Sequence, residues 1–533
     1  MRARRLTAIV AGVLALGGGA AIPALARSGG PSPRPPRAGL SSAGVTATLA
    51  HLLSDGSIAE GSYRRYSSAY AAAERSLSRL GGTRAEELGA VLANLQAINA
   101  AGELTPSRLP ALFLTLERNR QWWTSERLLS SGDRVSFPGS RLVWEYYPGQ
   151  GIEIQWLATF GEANGYFLSG YQNEALRQVL GEAIPLAARR AGGIAWEYLF
   201  QFDGGQPPWT SGLSQGTGVQ VLARAYSRLK VPAYLTAAQQ ALGVFQHPPP
   251  AGVRVATRAG ARYAEYTYNP GDRILNGFIQ SLVGLYDYAA LTKDPLGLRL
   301  FEQGDAQARL EVPQFDTGAW SLYDQYEESN LNYHELLTEF LHHLCERTSK
   351  GPPFTTALAS PPASSGPPAG GTSPGAGTGA AGSTGATGST GAAGSTGAGS
   401  TGAGTSGAGG GVGAGAASAT RSTAGIPGDQ IYCTTAKRFS ADLTTPPAIA
   451  LLSKNLPAGA RVGVQVSLSK ISTVSITVRQ GSRVVWTNSA TVTAGTPRLL
   501  WVTPAGGGTF TVSVSATDLA GNHSSTSGTI VVH

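Results

Sequence analysis

The sequence predicts a mainly α domain over residues 40–350, an α/α barrel or toroid with short β elements, and a C-terminal all-β immunoglobulin-like sandwich over residues 429–533. Three observations carry this expectation. Apolar residues recur three and four apart in the first region and alternate with polar ones in the last. Between them, residues 351–428 are dominated by Gly, Ala, Ser, Thr and Pro in GSTGA-like repeats, with no charged residue from Gly351 to Thr420.

The helical period runs through residues 87–98, 173–189, 216–229, 234–245, 275–291 and 332–346, where Leu282, Leu285 and Tyr286 line one face. Short extended stretches at 135–137, 141–147, 196–202 and 253–257 interrupt it. Antiparallel helices in adjacent pairs close into a ring whose centre is a groove suited to a long carbohydrate chain. The linker cannot bury a core, and as a Gly/Ser coil of about seventy residues it reaches roughly 45–50 Å root-mean-square. Beyond it, Val462, Val464 and Val466, then Val474, Ile476 and Val478, then Phe510, Val512 and Val514 alternate with polar residues. Turns such as Gln480-Gly481 separate them, giving half-buried strands. About seven such runs in roughly 100 residues resemble immunoglobulin-like modules, which bind, space or anchor more often than they catalyse.

Residues 1–26 read as a signal peptide: a basic start at Arg2, Arg4 and Arg5, an apolar stretch over 6–16, and small residues at Ala24-Leu25-Ala26. Gly17-Gly18-Gly19 and Pro23 interrupt the apolar run and argue against an uncleaved anchor. The expectation is a secreted or cell-surface protein with no stable membrane insertion after cleavage. The two cysteines, Cys345 and Cys433, are then expected to form a disulfide, the alternative being two unrelated buried thiols. The net charge of +8 does not indicate a nucleic-acid partner, because six arginines and no acid lie within residues 1–38.

Several short motifs fail on context. Gly212-Leu213-Ser214-Gln215-Gly216 has the G-x-S-x-G pattern, but Pro207-Pro208-Trp209 makes a poor strand to feed a nucleophile elbow. His334-Glu335 begins an H-E-x-x-H pattern that Thr338 breaks, and His342-His343 point to different faces of a helix. No metal or cofactor motif is present, so none is expected.

What remains is a concentration of tyrosine with Trp, carboxylates and Arg: Trp144-Glu145-Tyr146-Tyr147, Tyr263-Ala264-Glu265-Tyr266-Thr267-Tyr268, Tyr323-Asp324-Gln325-Tyr326 and Asn332-Tyr333-His334. Aromatic faces stack on sugar rings, and phenols and amides satisfy sugar hydroxyls. A single such tyrosine is more often a core residue with a satisfied hydroxyl.

The stretch from Tyr263 to Phe278, then Gly284-Leu285-Tyr286-Asp287, Phe315-Asp316-Thr317-Gly318, Leu322-Tyr323-Asp324 and Tyr333-His334 resembles the C-terminal catalytic region of D-glucuronyl C5-epimerases. Weaker echoes at Tyr147-Pro148, Gln155, Pro208-Trp209 and Gln215-Gly216 extend the likeness over roughly residues 140–345. The resemblance implies inversion of C5 of a glucuronic acid within a heparosan-like polysaccharide, giving iduronic acid without cutting the chain. It also implies catalytic roles for Tyr266, Tyr323 and Tyr333. Substrate-binding roles are expected for Glu265, Arg273, Asn276, Gln215, Asp324, His334 and Tyr147, and the expected partner is a uronic-acid-containing polysaccharide.

These residue types suit the chemistry, since one proton must leave C5 on one face and another must arrive on the opposite face. The C–H beside a carboxylate is roughly twenty pK units less acidic than a phenol, so the developing enediolate needs preorganised donors. The family carries an arginine three residues after the tyrosine matched by Tyr323, where this chain has Tyr326, and the segment to Tyr333 is shorter. Arg273 and His334 are the candidates for the missing positive group. Two other readings stand beside the epimerase: a polysaccharide lyase, which abstracts the same proton and then expels the 4-O-linked sugar, and a glycan-binding protein without turnover.

Overall fold

The computed structural model describes residues 43–355 and 430–533, which fall in one compact unit. The expected leader and nearly all of the expected linker lie outside the described residues. Four helices come first: α1 (Ala43–Ser54), α2 (Glu60–Leu77), α3 (Thr83–Ala100) and α4 (Leu109–Ser125). A small antiparallel sheet follows, of β1 (Arg134–Val135), β2 (Trp144–Tyr147) and β3 (Gly151–Ile154), in the order β1-β2-β3. Its Trp144, Tyr146, Ile152 and Ile154 join the main core, where Tyr146 meets Trp123 of α4 edge to face. Buried Glu87 accepts from the backbone N–H of Gly149 and Gly151 and from the Tyr146 hydroxyl, fixing the β2–β3 turn.

The chain continues through α5 (Trp156–Ser169), α6 (Asn173–Ala183), the hairpin β4 (Ala188–Arg190) and β5 (Gly193–Ala195), and α7 (Gly212–Leu229). It then forms α8 (Pro232–Ala241), α9 (Gly243–Gln246), the hairpin β6 (Arg254–Ala256) and β7 (Ala261–Tyr263), α10 (Leu275–Thr292), α11 (Pro295–Glu311) and α12 (Leu331–Thr348). The sequence pattern finds α3, α7, α10 and α12 but departs from the structure in two nearby places. The helix expected over 173–189 stops at Ala183, because Pro185 lacks an N–H and the chain turns into β4. The strand expected over 196–202 is an irregular segment pinned by isolated bridges, Tyr198 to Trp209 and Phe202 to Gly205.

Helices α7 and α10 pack over the largest contact of the helical part. A Cβ on Gly216 would meet the Ser281 Cα at 2.7 Å, and one on Gly284 would meet the Gly216 carbonyl oxygen at 2.2 Å. The two backbones therefore touch, and larger side chains would force them apart. Both helices are buried along most of their length.

After residue 429 the chain does not begin a strand. Gln430–Asp442 is a helix, α13, which lies on α12 and puts Tyr432, Ala436 and Phe439 into the helical core. The β structure starts at Ile449, so the boundary expected at 429 falls too early: Tyr432, Ala436 and Phe439 follow the helical period rather than alternating. Strands β8 (Ile449–Leu451), β10 (Arg461–Leu468) and β13 (Arg498–Val502) form one sheet, in the order β13-β10-β8. Strands β9 (Asn455–Leu456), β11 (Ser472–Gln480), β12 (Arg483–Val492), β14 (Gly508–Asp518) and β15 (His523–Val532) form another, in the order β12-β11-β14-β15-β9. Val464, Val466 and Trp501 of the first share a hydrophobic core with Val474, Ile476, Val512 and Val514 of the second.

Cys345 on α12 and Cys433 on α13 form a disulfide across a separation of 88 residues. In the chain-entropy account a loop of that length restricts the unfolded chain by about 4.5 kcal/mol. Reduction, or Cys345→Ser with Cys433→Ser, is expected to lower the unfolding free energy by up to about that amount. Denaturant titration with and without reductant measures it.

Candidate active site

The site is built where several helices begin. Gln155 caps α5, Ser211 caps α7 and Asn330 caps α12, each side chain accepting a backbone N–H of its own first turn. These starts are linked through side chains. The Gln155 amide donates to the Tyr147 hydroxyl at 3.0 Å, and the Tyr198 hydroxyl bonds the Gln155 carbonyl at 3.0 Å and Ser214 Oγ at 2.7 Å. Ser211 Oγ accepts from the Ser214 N–H and donates to Glu265 Oε1 at 2.8 Å. The start of α10 joins the same place: Leu275 donates its N–H to the Tyr323 carbonyl, and a Cβ on Gly277 would stand 2.1 Å from Glu265 Oε2. Only glycine leaves room there for the carboxyl group.

Around Glu265 stand the phenols of Tyr266, Tyr323 and Tyr333. The Tyr323 and Tyr333 rings lie 4.6 Å apart, and both lie close enough to Tyr266 to help raise its pKa. Tyr266 stacks on Tyr268 at 5.2 Å, and its ring meets Trp209 and Phe202. Phe202 and Phe200 continue this aromatic wall to Tyr147. The three tyrosines expected to act together thus share one cluster with Glu265, although they come from the segment after β7, the loop before α12 and the first turn of α12.

The electrostatics follow from burial. Glu265 is 8% exposed, its Oε2 has no hydrogen-bond partner, and desolvation raises its pKa to about 7 against the pull of Ser211, the Leu213 N–H and Arg262. Burial pushes Tyr333 up to about 12, with the Glu265 charge adding to it. Burial pushes Tyr266 and Tyr323 higher still, reinforced by neighbouring phenols and by Glu265. At neutral pH the cluster holds protonated phenols around one carboxyl group near its titration midpoint.

The other expected residues separate into those at the cluster and those that serve the fold. Tyr147 is on the aromatic wall, and Asn276 sits at the α10 start, its Oδ1 accepting the Gly277 N–H at 2.7 Å. Gln215 is fully buried behind the site, donating to the Trp196 carbonyl. Asp324, expected to bind substrate, shapes a turn: its Oδ1 accepts the N–H groups of Tyr326 and Glu327. Arg273 is also diverted, its guanidinium donating to Gln314 beside Phe315. His334 cannot supply the positive charge. It stacks at 3.7 Å on Trp320, bonds the Phe439 carbonyl through Nε2 and Ser321 through Nδ1, and burial lowers its pKa to about 4.

Sequence reasoning missed Ser211 and Tyr198, set Ser214 aside with the failed nucleophile motif, and did not pair Glu145 with Glu153. Ser211 had a local signal, since it precedes a helical run and suits an N-cap. The glutamates face each other across β2 and β3; Glu145 accepts from Arg134 at 3.2 Å and lies beside Tyr147, while burial holds Glu153 well above the carboxylate range. Only the strand register reveals that pairing.

Residues 191–357, which contain Glu265 and the three tyrosines, match the family described as D-glucuronyl C5-epimerase C-terminus. The chain is 34% identical over 131 residues to the D-glucuronyl C5-epimerase of Caenorhabditis elegans, covering 22% of this chain and 21% of that protein. It is 28% identical over 138 residues to an uncharacterized protein of Methanocaldococcus jannaschii, covering 25% of this chain and 45% of that one. The chain therefore spans less than half the length of either curated relative.

The carboxyl of Glu265 gives a stability test with a definite sign. The folded protein keeps its proton up to about pH 7, whereas an unfolded chain releases it near 4.5. Between these values the folded state binds more protons, so this residue's contribution falls as pH rises and levels off above about 7. His334, with its pKa lowered from 6.5 to about 4, contributes with the opposite slope between those two values. Because His334 is common to wild type and Glu265→Gln, it cancels in their difference. The melting temperature of wild type relative to Glu265→Gln is expected to drop from about pH 4.5 to 7, measured by calorimetry across that range.

Proposed function

We propose that the protein inverts C5 of D-glucuronic acid residues within a polysaccharide, giving L-iduronic acid, a reading that starts from the match of residues 191–357 to the D-glucuronyl C5-epimerase C-terminus. The observation that carries this reading is the gathering of Tyr266, Tyr323 and Tyr333 around Glu265. A uronate ring held among these groups would meet both a carboxyl group and phenols, the two kinds of proton-transfer partner that inversion calls on.

A base works best when its pKa lies near the working pH, which favours Glu265 over any phenol for accepting the C5 proton. The phenols, held protonated, then supply the donors: one returns a proton to the opposite face of C5, and the others hydrogen-bond the substrate carboxylate as it becomes an enediolate. Glu265 was read from the sequence as a binding residue; its burial and open Oε2 suit it to the base role as well. The family arginine is absent at Tyr326, and the start of α10 beside Glu265 offers the positive end of a helix dipole toward the substrate's charge.

This reading includes an α/α-barrel architecture for the helical part and an immunoglobulin-like sandwich for the β part. It also includes export of the chain, which the Cys345–Cys433 disulfide supports.

The test is incubation with glucuronan- and heparosan-type polymers in deuterated water. Deuterium is expected at C5, with iduronic acid formed and no ultraviolet-absorbing unsaturated ends; a lyase would make those ends, and a binding protein would leave the label out. Tyr266→Phe and Glu265→Gln are each expected to slow incorporation by roughly 100-fold or more, the usual loss when one acid or base is removed. Normal rates in both variants would end the proposal.

A further inference from the structure

The segment that carries Tyr323 is held from outside the helical part. Tyr323 lies in a tight loop where Leu322 pairs with Glu328 and the Tyr323 N–H donates to the Glu327 carbonyl at 2.8 Å. The Glu328 side chain leaves this loop for the β region. Its Oε2 accepts the Ala494 N–H at 2.8 Å, and its Oε1 accepts the Ile471 N–H at 3.3 Å. Ile471 lies in the turn between β10 and β11, and Ala494 follows β12. One carboxylate thus joins two turns of the β region to the residue next to the Tyr323 bridge.

A second contact grips the other side of the loop. Lys470 is 1% exposed, paired with Asp518 at 2.9 Å, and donates to the carbonyls of Asp442 and Thr445. Its ammonium stands 5.2 Å from the Trp320 ring centre. Trp320 donates to the Ser329 carbonyl and stacks on His334, the neighbour of Tyr333. The β region therefore reaches both phenol-bearing stretches, through Glu328 beside the Tyr323 turn and through Lys470 and Trp320 beside Tyr333.

We propose that the C-terminal β region is part of the reaction machinery, and that Glu328 is a positioning residue through which the Ile471 and Ala494 turns fix Tyr323 against Tyr333. This rests on the proposed function for its kinetic consequence, though not for its structural one. A half-buried carboxylate accepting two backbone N–H groups makes charge-assisted bonds, which are stronger and more directional than neutral ones. A module attached only as a spacer has no use for a carboxylate bridge into the loop of a reacting residue.

The experiment uses the full chain with Glu328→Ala, Glu328→Gln and, as a control, Thr487→Val on the exposed side of β12. Backbone amide exchange and the kinetics of C5 deuterium incorporation are measured on each. Glu328→Ala is expected to speed amide exchange in residues 321–333 selectively and to lower kcat by about tenfold or more with KM nearly constant, since small misplacements of reacting groups fall on the chemical step. Glu328→Gln, which keeps one acceptor oxygen, falls between, and Thr487→Val matches wild type. Unchanged amide exchange with unchanged kcat, a rise in KM alone, or a uniform increase in exchange across the helical part each overturns the proposal. Should the wild type label no uronan at all, the functional reading fails by itself, and the amide exchange of residues 321–333 still decides whether Glu328 holds the segment.

Discussion

Backbone contact between α7 and α10 is the constraint on which the site depends. Gly216 and Gly284 let the two helices meet without side chains between them, and their starting ends are thereby brought to one place. From there Ser211 holds Glu265, Gly277 makes room for its carboxyl, and the N–H of Leu275 fixes the Tyr323 backbone. A methyl group at either contact glycine would meet neighbouring backbone, which cannot yield as a flexible side chain can.

The chemistry depends on how that frame is desolvated. A carboxyl group with one open oxygen sits among phenols in a place where charge is costly, so the group that titrates near neutrality is the carboxyl while the phenols stay protonated. Environment thus separates the protonation behaviour of the carboxyl from that of the phenols. Asp324 and His334 show the converse: each belongs to the recognised motif, yet each serves the backbone around the phenols, one by shaping a turn and the other as a neutral, stacked ring.

The part of the chain after residue 429 is tied closely to this frame. Helix α13 completes the helical core, the disulfide fastens it to α12, and Phe439 accepts a hydrogen bond from His334. The β region then adds Lys470 and the turns that bind Glu328. Segments far apart in sequence so meet within the few residues from Trp320 to His334.

The sequence by itself determined the local elements and the chemical types. Period-three-to-four and period-two patterns reflect backbone geometry, so α3, α7, α10 and α12 and the strands β10, β11 and β14 were legible. The ordered motif from Tyr263 to Tyr333 likewise announced its tyrosines and Glu265. Tertiary structure decided which of these meet and in what surroundings. Neither the Glu145–Glu153 pairing, nor the diversion of Arg273 to Gln314, nor the burial that neutralises His334 leaves a local trace, because each depends on partners supplied by other segments. The helix at Gln430–Asp442 was missed because the low-complexity text before it suggested a domain boundary, whereas its apolar face is paired with α12. Side-chain identity travels with the chain, but desolvation and proximity are properties of the packed molecule.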